Sequence, residues 1–310
     1  MATDDEHLPT FALPTGKNHV SASEMSMWAQ CSWKHSLVQV QHVDLSTPSP
    51  VPTFGTACHE GCEAFLRTRC MDASITHRAI DRLWDMCGFR DERDLQRFLD
   101  RLETTLPEAI KAFGFGDKSR VEAHRDADLI LPEVPIFMDV TFPGWEFVAA
   151  ELQLYEPIAE TGVSLKGFID GIIKATGKRG ETLIWIIDWK TSAWGWKREK
   201  REDPLVQAQL VLYKKYWMQK MADPTMKLRD VRCGFVLLKR AAKPGEHIEI
   251  VPVSVGDAPI GRVDKRTLDM ISSVRHSVRI KNRNSCTYCE FNKTCAGTWI
   301  DHKGVLHSVK

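Results

Sequence analysis

The stretch "TLIWIIDWKTS", Thr182 to Ser192, constrains this chain more than any other. It is an apolar, strongly β-forming run, yet Asp188 and Lys190 stand two positions apart inside it. Side chains two apart on a strand share a face. Bare charges are costly to desolvate, so the pair is either trim on an exposed edge or the start of a site. If it is a site, the neighbouring segments must bring further polar groups to the same face.

Those segments are legible. "EFVAAELQLYEPI" and "VSLKGFIDGIIKA" read as strands, and the Gly-bracketed "GKRG" turns the second of them into the Asp188 strand. Asp170 lies about as far before that turn as Asp188 lies after it. A two-residue loop at 178–179 would set Asp170 across from Ile187 and send Asp188 to the other face. One extra loop residue, or a bulge, would set Asp170 across from Asp188. The site reading therefore requires that extra residue.

The rest of the chain sorts into regions around this hairpin. Residues 1–20 read as a polar leader. Residues 21–145 read as mainly helical, opened by a capping-box pattern at Ser21 and Glu24. After the break "STPSPVP", residues 53–70 return to helical spacing, with Phe54, Ala57, Cys58, Cys62 and Phe65 along one side. The helical pattern continues over 75–114, and residues 72–140 carry no motif with assignable chemistry. Residues 146–260 form the core: the three strands, a loop "AWGWKREKRE", a helix opened by Asp203 and Pro204, and the strands "VRCGFVLLKR" and "HIEIVPVSV". Residues 261–310 hold a helix over 262–281 and a cysteine-bearing tail. Strands mixed with helices in this order make an α/β protein.

Composition narrows the class. With 310 residues, 43% hydrophobic and 27% charged, the chain suits a globular domain. No run approaches the ~20 apolar residues needed to span a bilayer. "MATDDEHLPT" has neither a basic n-region nor an apolar h-region, so a cytoplasmic location and no membrane partner are expected. A net charge of +1 leaves any nucleic-acid footprint to local patches.

Two carboxylates and a lysine on one face suit a hard divalent cation with oxygen ligands. Such an ion activates water against a phosphate. Lys190 would orient or deprotonate that water, or steady the charge developing on phosphorus. Asp-x-Lys alone reads equally well as a surface salt bridge. Gln209 and Tyr213, four apart, share one face of the helix from Asp203 and can pack it against the site. His59, among the small residues of "GTACHEG", reads as a packed side chain or as one imidazole ligand.

"GTACHEG", "GFIDGI", "IIDWKTS" and "QAQLVLY", in that order, resemble the motifs of the RecB-type branch of the PD-(D/E)xK nuclease superfamily. The resemblance implies a restriction-endonuclease-like core, a mixed central sheet flanked by helices. It implies His59, Asp170, Asp188 and the main-chain carbonyl of Trp189 as ligands for Mg2+ or Mn2+. It carries the catalytic lysine onto Lys190 and the family's QxxxY signature onto Gln209 and Tyr213. Glu151, on the preceding strand, matches an additional acid found in parts of the superfamily.

Nine cysteines, an odd number in a chain expected to be cytoplasmic, argue against a disulfide framework. "CTYCEFNKTC" spaces Cys286, Cys289 and Cys295 as C-x2-C-x5-C, and Cys31 is the natural fourth thiol, over 250 residues away. Spacing alone fits zinc or an iron–sulfur centre. One early cysteine with this late triplet resembles the [4Fe–4S] staple of AddB-type helicase–nuclease subunits and of CRISPR-adaptation exonucleases. Cys58, Cys62, Cys70, Cys87 and Cys233 read as packing residues.

The loop after the Asp188 strand carries Trp194 and Trp196 with Lys197, Arg198, Lys200 and Arg201. Cations neutralise phosphates and exposed indoles stack on unpaired bases; a solvated loop with its tryptophans tucked inward fits equally well. The expected function is a metal-dependent DNA exonuclease acting on single strands or ends, in recombination, repair or replication. The alternative is a non-catalytic or weakly catalytic iron–sulfur DNA-binding subunit of adaptation. No Walker motif occurs in these residues, so a helicase or recombination partner would supply any unwinding.

Overall fold

The structure, a computed structural model, describes residues 12–295 except 46 and 288, together with 298–300 and 306–308. Residues 1–11 of the expected polar leader lie outside the described residues.

A short strand β1 (His19–Val20) leads into α1 (Ala22–Gln30), α2 (Ser32–His35) and a π-helical turn. The Ser21 hydroxyl caps α1 by accepting from the Glu24 N–H at 3.2 Å. The other half of the expected capping box is not made, because the Glu24 carboxylate turns inward to His35 at 3.0 Å. Five longer helices and one short one follow: α3 (Pro50–Thr68), α4 (Ala73–Asp85), α5 (Glu92–Leu102), α6 (Leu106–Phe113), α7 (Gly116–Ile130) and α8 (Glu133–Thr141). The helical stretch expected over 75–114 is thus broken where Cys87, Gly88 and Glu103 take positive φ.

The core follows as β2 (Glu146–Ile158), β3 (Val163–Thr176), β4 (Thr182–Ser192), α9 (Arg198–Glu202), α10 (Pro204–Met221), β5 (Val231–Lys239) and β6 (Ile248–Val253). Last come α11 (Asp257–Arg275), α12 (Asn292–Cys295) and the small hairpin β7 (Thr298–Ile300) and β8 (Leu306–Ser308). The helix expected over 262–281 therefore starts earlier and stops at Arg275. Ser277 takes positive φ, and Ile280 is drawn away to accept a bond from the Trp33 N–H at 3.2 Å.

The main sheet is mixed. β4 runs parallel to β5, while β2–β3, β3–β4 and β5–β6 are antiparallel. Helices cover both faces, which gives two apolar cores. One joins α1, α10 and α11 to Leu165, Ile186, Phe235 and their neighbours; the other joins α3, α4, α7 and α8 to Ile173, Ile187 and Trp189. Small residues let α3 lie close: a Cβ on Gly171 would meet Leu66 Cδ1 at 2.7 Å.

The turn between β3 and β4 decides the register. Gly177 N–H bonds to the Glu181 carbonyl at 2.7 Å, and Gly180 has φ +80°, so the loop holds three residues with glycine at the left-handed position. The extra residue is present. The ladder runs Thr176↔Thr182 to Gly171↔Ile187, and its next step sets Asp170 opposite Asp188.

Pairing then stops, and this makes the site. β2 occupies one edge of β3 along its length. The other edge is shared by β1 at residues 164–165 and β4 at residues 171–176. Between them, residues 166–170 have no strand partner on that edge among the described residues. β4 meanwhile continues along β5 to Ser192. A slit opens between the two diverging strands, with α3 on one side and α10 on the other.

Candidate active site

Asp170 sits at the point of divergence, and its Oδ2 accepts the Trp189 main-chain N–H at 2.8 Å. From α3, His59 brings Nδ1 to within 3.4 Å of the same oxygen. From β2, Glu151 completes a cluster: one ligand atom each of His59, Glu151 and Asp170 lies within 4.8 Å of the others. Glu151 has φ +50°, a conformation strained for a residue with a side chain. The strain coincides with a change of face. Leu154 points to the first core and Ala150 to the second, so the alternation of β2 resets at Glu151. Strain of this kind persists where surrounding structure enforces it.

Asp188 is 1% exposed and held from two directions. Its Oδ1 accepts the Gln209 side-chain amide at 2.8 Å, and Lys190 Nζ pairs with its Oδ2 at 2.5 Å. The same amide also donates to the Tyr213 hydroxyl at 3.2 Å. Gly167 makes room for that ring, since a Cβ there would meet Tyr213 Cε1 at 2.7 Å. The face of α10 bearing Gln209 and Tyr213 thus does pack against the Asp-x-Lys strand.

Electrostatics mark the cluster as short of positive charge. Burial, then the nearby Asp188 carboxylate, push Asp170 well above the usual carboxylate range, against the pull of Lys190 and the Trp189 N–H. Burial and Glu63 push Glu151 up in the same sense. Burial lowers His59, favouring the neutral imidazole that ligates metals, and this ring also hydrogen-bonds the Trp189 main chain. Burial works against the Lys190 charge, but Asp188 and Asp170 outweigh it and raise the amine. Lys190 is therefore a cation at neutral pH. Burial pushes the Tyr213 phenol up to about 12, which keeps it neutral.

One imidazole and hard carboxylate oxygens, crowded so that protons stand in for missing charge, fit a divalent cation. The compact trio holds the expected His59 and Asp170 together with Glu151, the additional acid, while the expected Asp188 and Trp189 adjoin it. Asp188 is turned toward Gln209 and Lys190, and Trp189 faces the trio through its main chain. Alternation along "EFVAAELQLY" gave no sign of Glu151, because its place depends on a left-handed residue inside a strand.

Trp194 is 67% exposed, but Trp196 is 7% exposed and packs on Phe235 with ring centroids 5.0 Å apart. Trp196 is a core residue, which corrects its expected role in stacking on DNA. Arg198 is paired with Glu202 at 2.8 Å and Arg201 with Glu249 at 2.5 Å. Lys200 lies over the Trp196 ring at 4.4 Å, its pKa lowered by burial and then by Lys190. Lys197 is exposed at the start of α9. Of the expected loop contacts, Trp194 and Lys197 have no side-chain partner among the described residues, while Arg198 and Lys200 are exposed but engaged.

Cys31, Cys286, Cys289 and Cys295 line one cavity of about 840 Å3. The tail is tied to the helical region there: Asn282 donates its main-chain N–H to Cys31 Sγ at 3.5 Å and its amide to the Gln30 carbonyl at 2.8 Å. Cys58, Cys62, Cys87 and Cys233 are buried, as expected of packing residues, but Cys70 is exposed just beyond the end of α3.

A profile described as the PD-(D/E)XK nuclease superfamily matches residues 19–296. No curated protein sequence matches significantly. A crystal structure from Eubacterium rectale, of a protein provisionally called an exonuclease, aligns with a TM-score of 0.52 at 12% identity, covering 94% of this chain and 92% of that one. At that identity the likeness concerns the fold alone. The crystal structure of SSO0001, also 12% identical, covers 88% of this chain and 95% of its own but has a TM-score of 0.33, which supports no argument.

Proposed function

The chain belongs to the PD-(D/E)XK nuclease superfamily, and on that premise we propose that it is a divalent-metal-dependent DNA exonuclease of the RecB-like type. Its substrates are single strands or DNA ends, and its setting is recombination, repair or replication. The observation that carries the reading is the meeting of His59, Glu151 and Asp170 within 4.8 Å, beside the ion pair of Lys190 and Asp188. A surface salt bridge would need neither the trio nor the burial of Asp188.

His59, Glu151 and Asp170 would hold Mg2+ or Mn2+, with Asp188 and the Trp189 carbonyl at the rim of the same set. When bound, the ion polarises the scissile phosphate and lowers the pKa of water. Lys190, kept protonated by its carboxylates, stabilises negative charge on the phosphate and orients water rather than abstracting its proton. Gln209 fixes Asp188, and Tyr213 fixes Gln209. The test compares the wild type with Asp188→Ala and Lys190→Ala on end-labelled single-stranded DNA, with and without Mn2+. Cleavage by the wild type alone, and only with metal, supports the reading. Equal activity in all three leaves the non-catalytic DNA-binding subunit in its place.

The four thiols lining one cavity support a [4Fe–4S] cluster that clamps the tail to the helical region. Broad visible absorption in anaerobically purified protein tests this; a colourless protein carrying one equivalent of zinc would refute it. Unwinding of duplex substrates falls to a separate helicase or recombination chain, and the working location is the cytoplasm.

A further inference from the structure

The strands that deliver Asp170 and Glu151 also present a row of exposed groups leading away from them. Gln153 pairs with Phe168 and Tyr155 with Lys166 across the β2–β3 ladder. These four share the face opposite Leu154 and Ile169, which are fully buried in the first core. Phe168 is 44% exposed and Tyr155 43% exposed. Antiparallel strands commonly leave one face to solvent, and here that face carries two large aromatic rings rather than polar side chains alone.

Phe168 is two residues from Asp170, a step of about 7 Å along a strand. Tyr155 lies diagonally beyond it, a further 7–8 Å or so. Tyr155 is held in place: its hydroxyl donates to Asn18 at 2.7 Å, and its ring meets His19 edge-on at 5.9 Å between centroids. Lys166 stands beside it with no carboxylate partner among the described residues, close enough to His19 to depress that imidazole after burial has done so. One ring beside Asp170, a fixed second ring about one nucleotide's reach further on, and an ammonium directly across the ladder from that second ring match the face and backbone of an unpaired strand.

The row is continuous with the candidate active site. A cavity of about 610 Å3 fills the slit between β3 and β4, and Lys166, Phe168, Lys190, Gln209 and Tyr213 all line it. Resting on the nuclease reading for the identity of the ligand, we propose that Phe168 and Tyr155 form a stacking track. It seats two successive bases of single-stranded DNA, with Lys166 on the intervening phosphate, and feeds the strand into the slit. Phe168 and Tyr155 are positioning residues that favour unpaired over duplex DNA, since paired bases cannot offer their faces to the rings. The track takes over the stacking role expected of Trp196.

The test is fluorescence anisotropy of labelled oligo-dT and of a blunt duplex, in EDTA so that nothing is cut. Phe168→Ala and Tyr155→Ala should each weaken oligo-dT binding about tenfold, within the span of about 1–3 kcal/mol per stacked base. Duplex affinity should stay unchanged. Phe168→Trp should restore oligo-dT binding, which a merely structural role would not do. Lys166→Ala should lower the salt dependence on oligo-dT by roughly one phosphate contact. Wild-type affinity in both alanine variants overturns the track, and so does an equal loss on duplex. Cleavage with Mn2+, run in parallel, separates the two readings. A chain that cleaves yet ignores Phe168→Ala loses only the track. One that binds through Phe168 and never cleaves loses only the nuclease assignment.

Discussion

Asp188 is held by two side chains, one on each carboxylate oxygen. Gln209 donates to its Oδ1 and Lys190 pairs with its Oδ2, and the carboxylate itself is almost fully buried while both partners reach the adjoining cavity. Gln209→Ala leaves a buried carboxylate oxygen unsatisfied, so it should cost about 1–3 kcal/mol in urea unfolding. It should also slow cleavage about 10- to 100-fold through misplaced chemistry. On the proposed mechanism Lys190→Ala removes the charge assigned to the phosphate and should reduce turnover on the order of 100-fold or more with little change in substrate affinity, read as a fall in kcat at near-constant KM. Asp170 supplies a pH prediction. Its carboxyl binds a proton more tightly in the folded chain than in the unfolded one. That contribution to stability is fully present below the ordinary carboxylate pKa of about 4 and fades as pH climbs through the raised folded value. Metal-free protein should therefore lose this increment with rising pH in a thermal melt. A divalent ion must displace the same proton, so Mn2+ affinity by calorimetry should strengthen over the same climb. Affinity that falls with rising pH would contradict it.

At the scale of elements, everything turns on the loop between β3 and β4. Its third residue, Gly180, takes the left-handed conformation that closes the turn and fixes the register whose continuation places Asp170 opposite Asp188. Deleting Arg179 would leave a two-residue connection and slip the pairing by one, turning Asp188 and Lys190 from the slit to the opposite face. The deletion should abolish cleavage and strongly destabilise the sheet, because Ile186 and Ile187 exchange cores with it. A folded, active deletion variant would mean that register does not control the site. Gly167→Ala tests the other wall. Its Cβ would press on the Tyr213 ring at 2.7 Å, an overpacking that should cost about 1–3 kcal/mol and loosen the Gln209 contact. Much of this element pattern was legible: the strand runs, the Asp203–Pro204 helix start and the α10 face carrying Gln209 and Tyr213 all form as read. The break at Cys87 and Gly88, a local left-handed cap, was missed among strong helical periodicity, while the early stop of α11 and the left-handed Glu151 go with contacts to distant segments.

On the scale of the whole molecule, the helical region and the tail meet although far apart in the chain. Cys31 in the helical region and Cys286, Cys289 and Cys295 in the tail face one cavity, with the entire nuclease core between them. A metal centre joining them would restrict the unfolded chain much as a crosslink of that span does, an upper bound of about 5 kcal/mol. On the proposed [4Fe–4S] cluster, Cys289→Ser should lower the melting temperature and bleach its visible absorption together, while the sheet and the slit stay intact. Loss of colour with an unchanged melting temperature would remove the clamp and leave the cluster without a structural role.

The sequence by itself determined which groups this protein could bring to bear. The strand runs, the acid–lysine pair in "IIDWKTS", the paired Gln209 and Tyr213 and the late cysteine triplet are local patterns, set by periodicity and side-chain chemistry. Only the tertiary structure decided which of them meet. The slit exists because β1 and β4 share one edge of β3 and leave a gap between them, and Glu151 joins His59 and Asp170 because a left-handed residue resets β2 there. Trp196 belongs to the core while Phe168 and Tyr155 face outward, because helices cover one part of the sheet and spare another. Periodicity can say that a side chain has a face; what covers that face depends on segments far away in the chain.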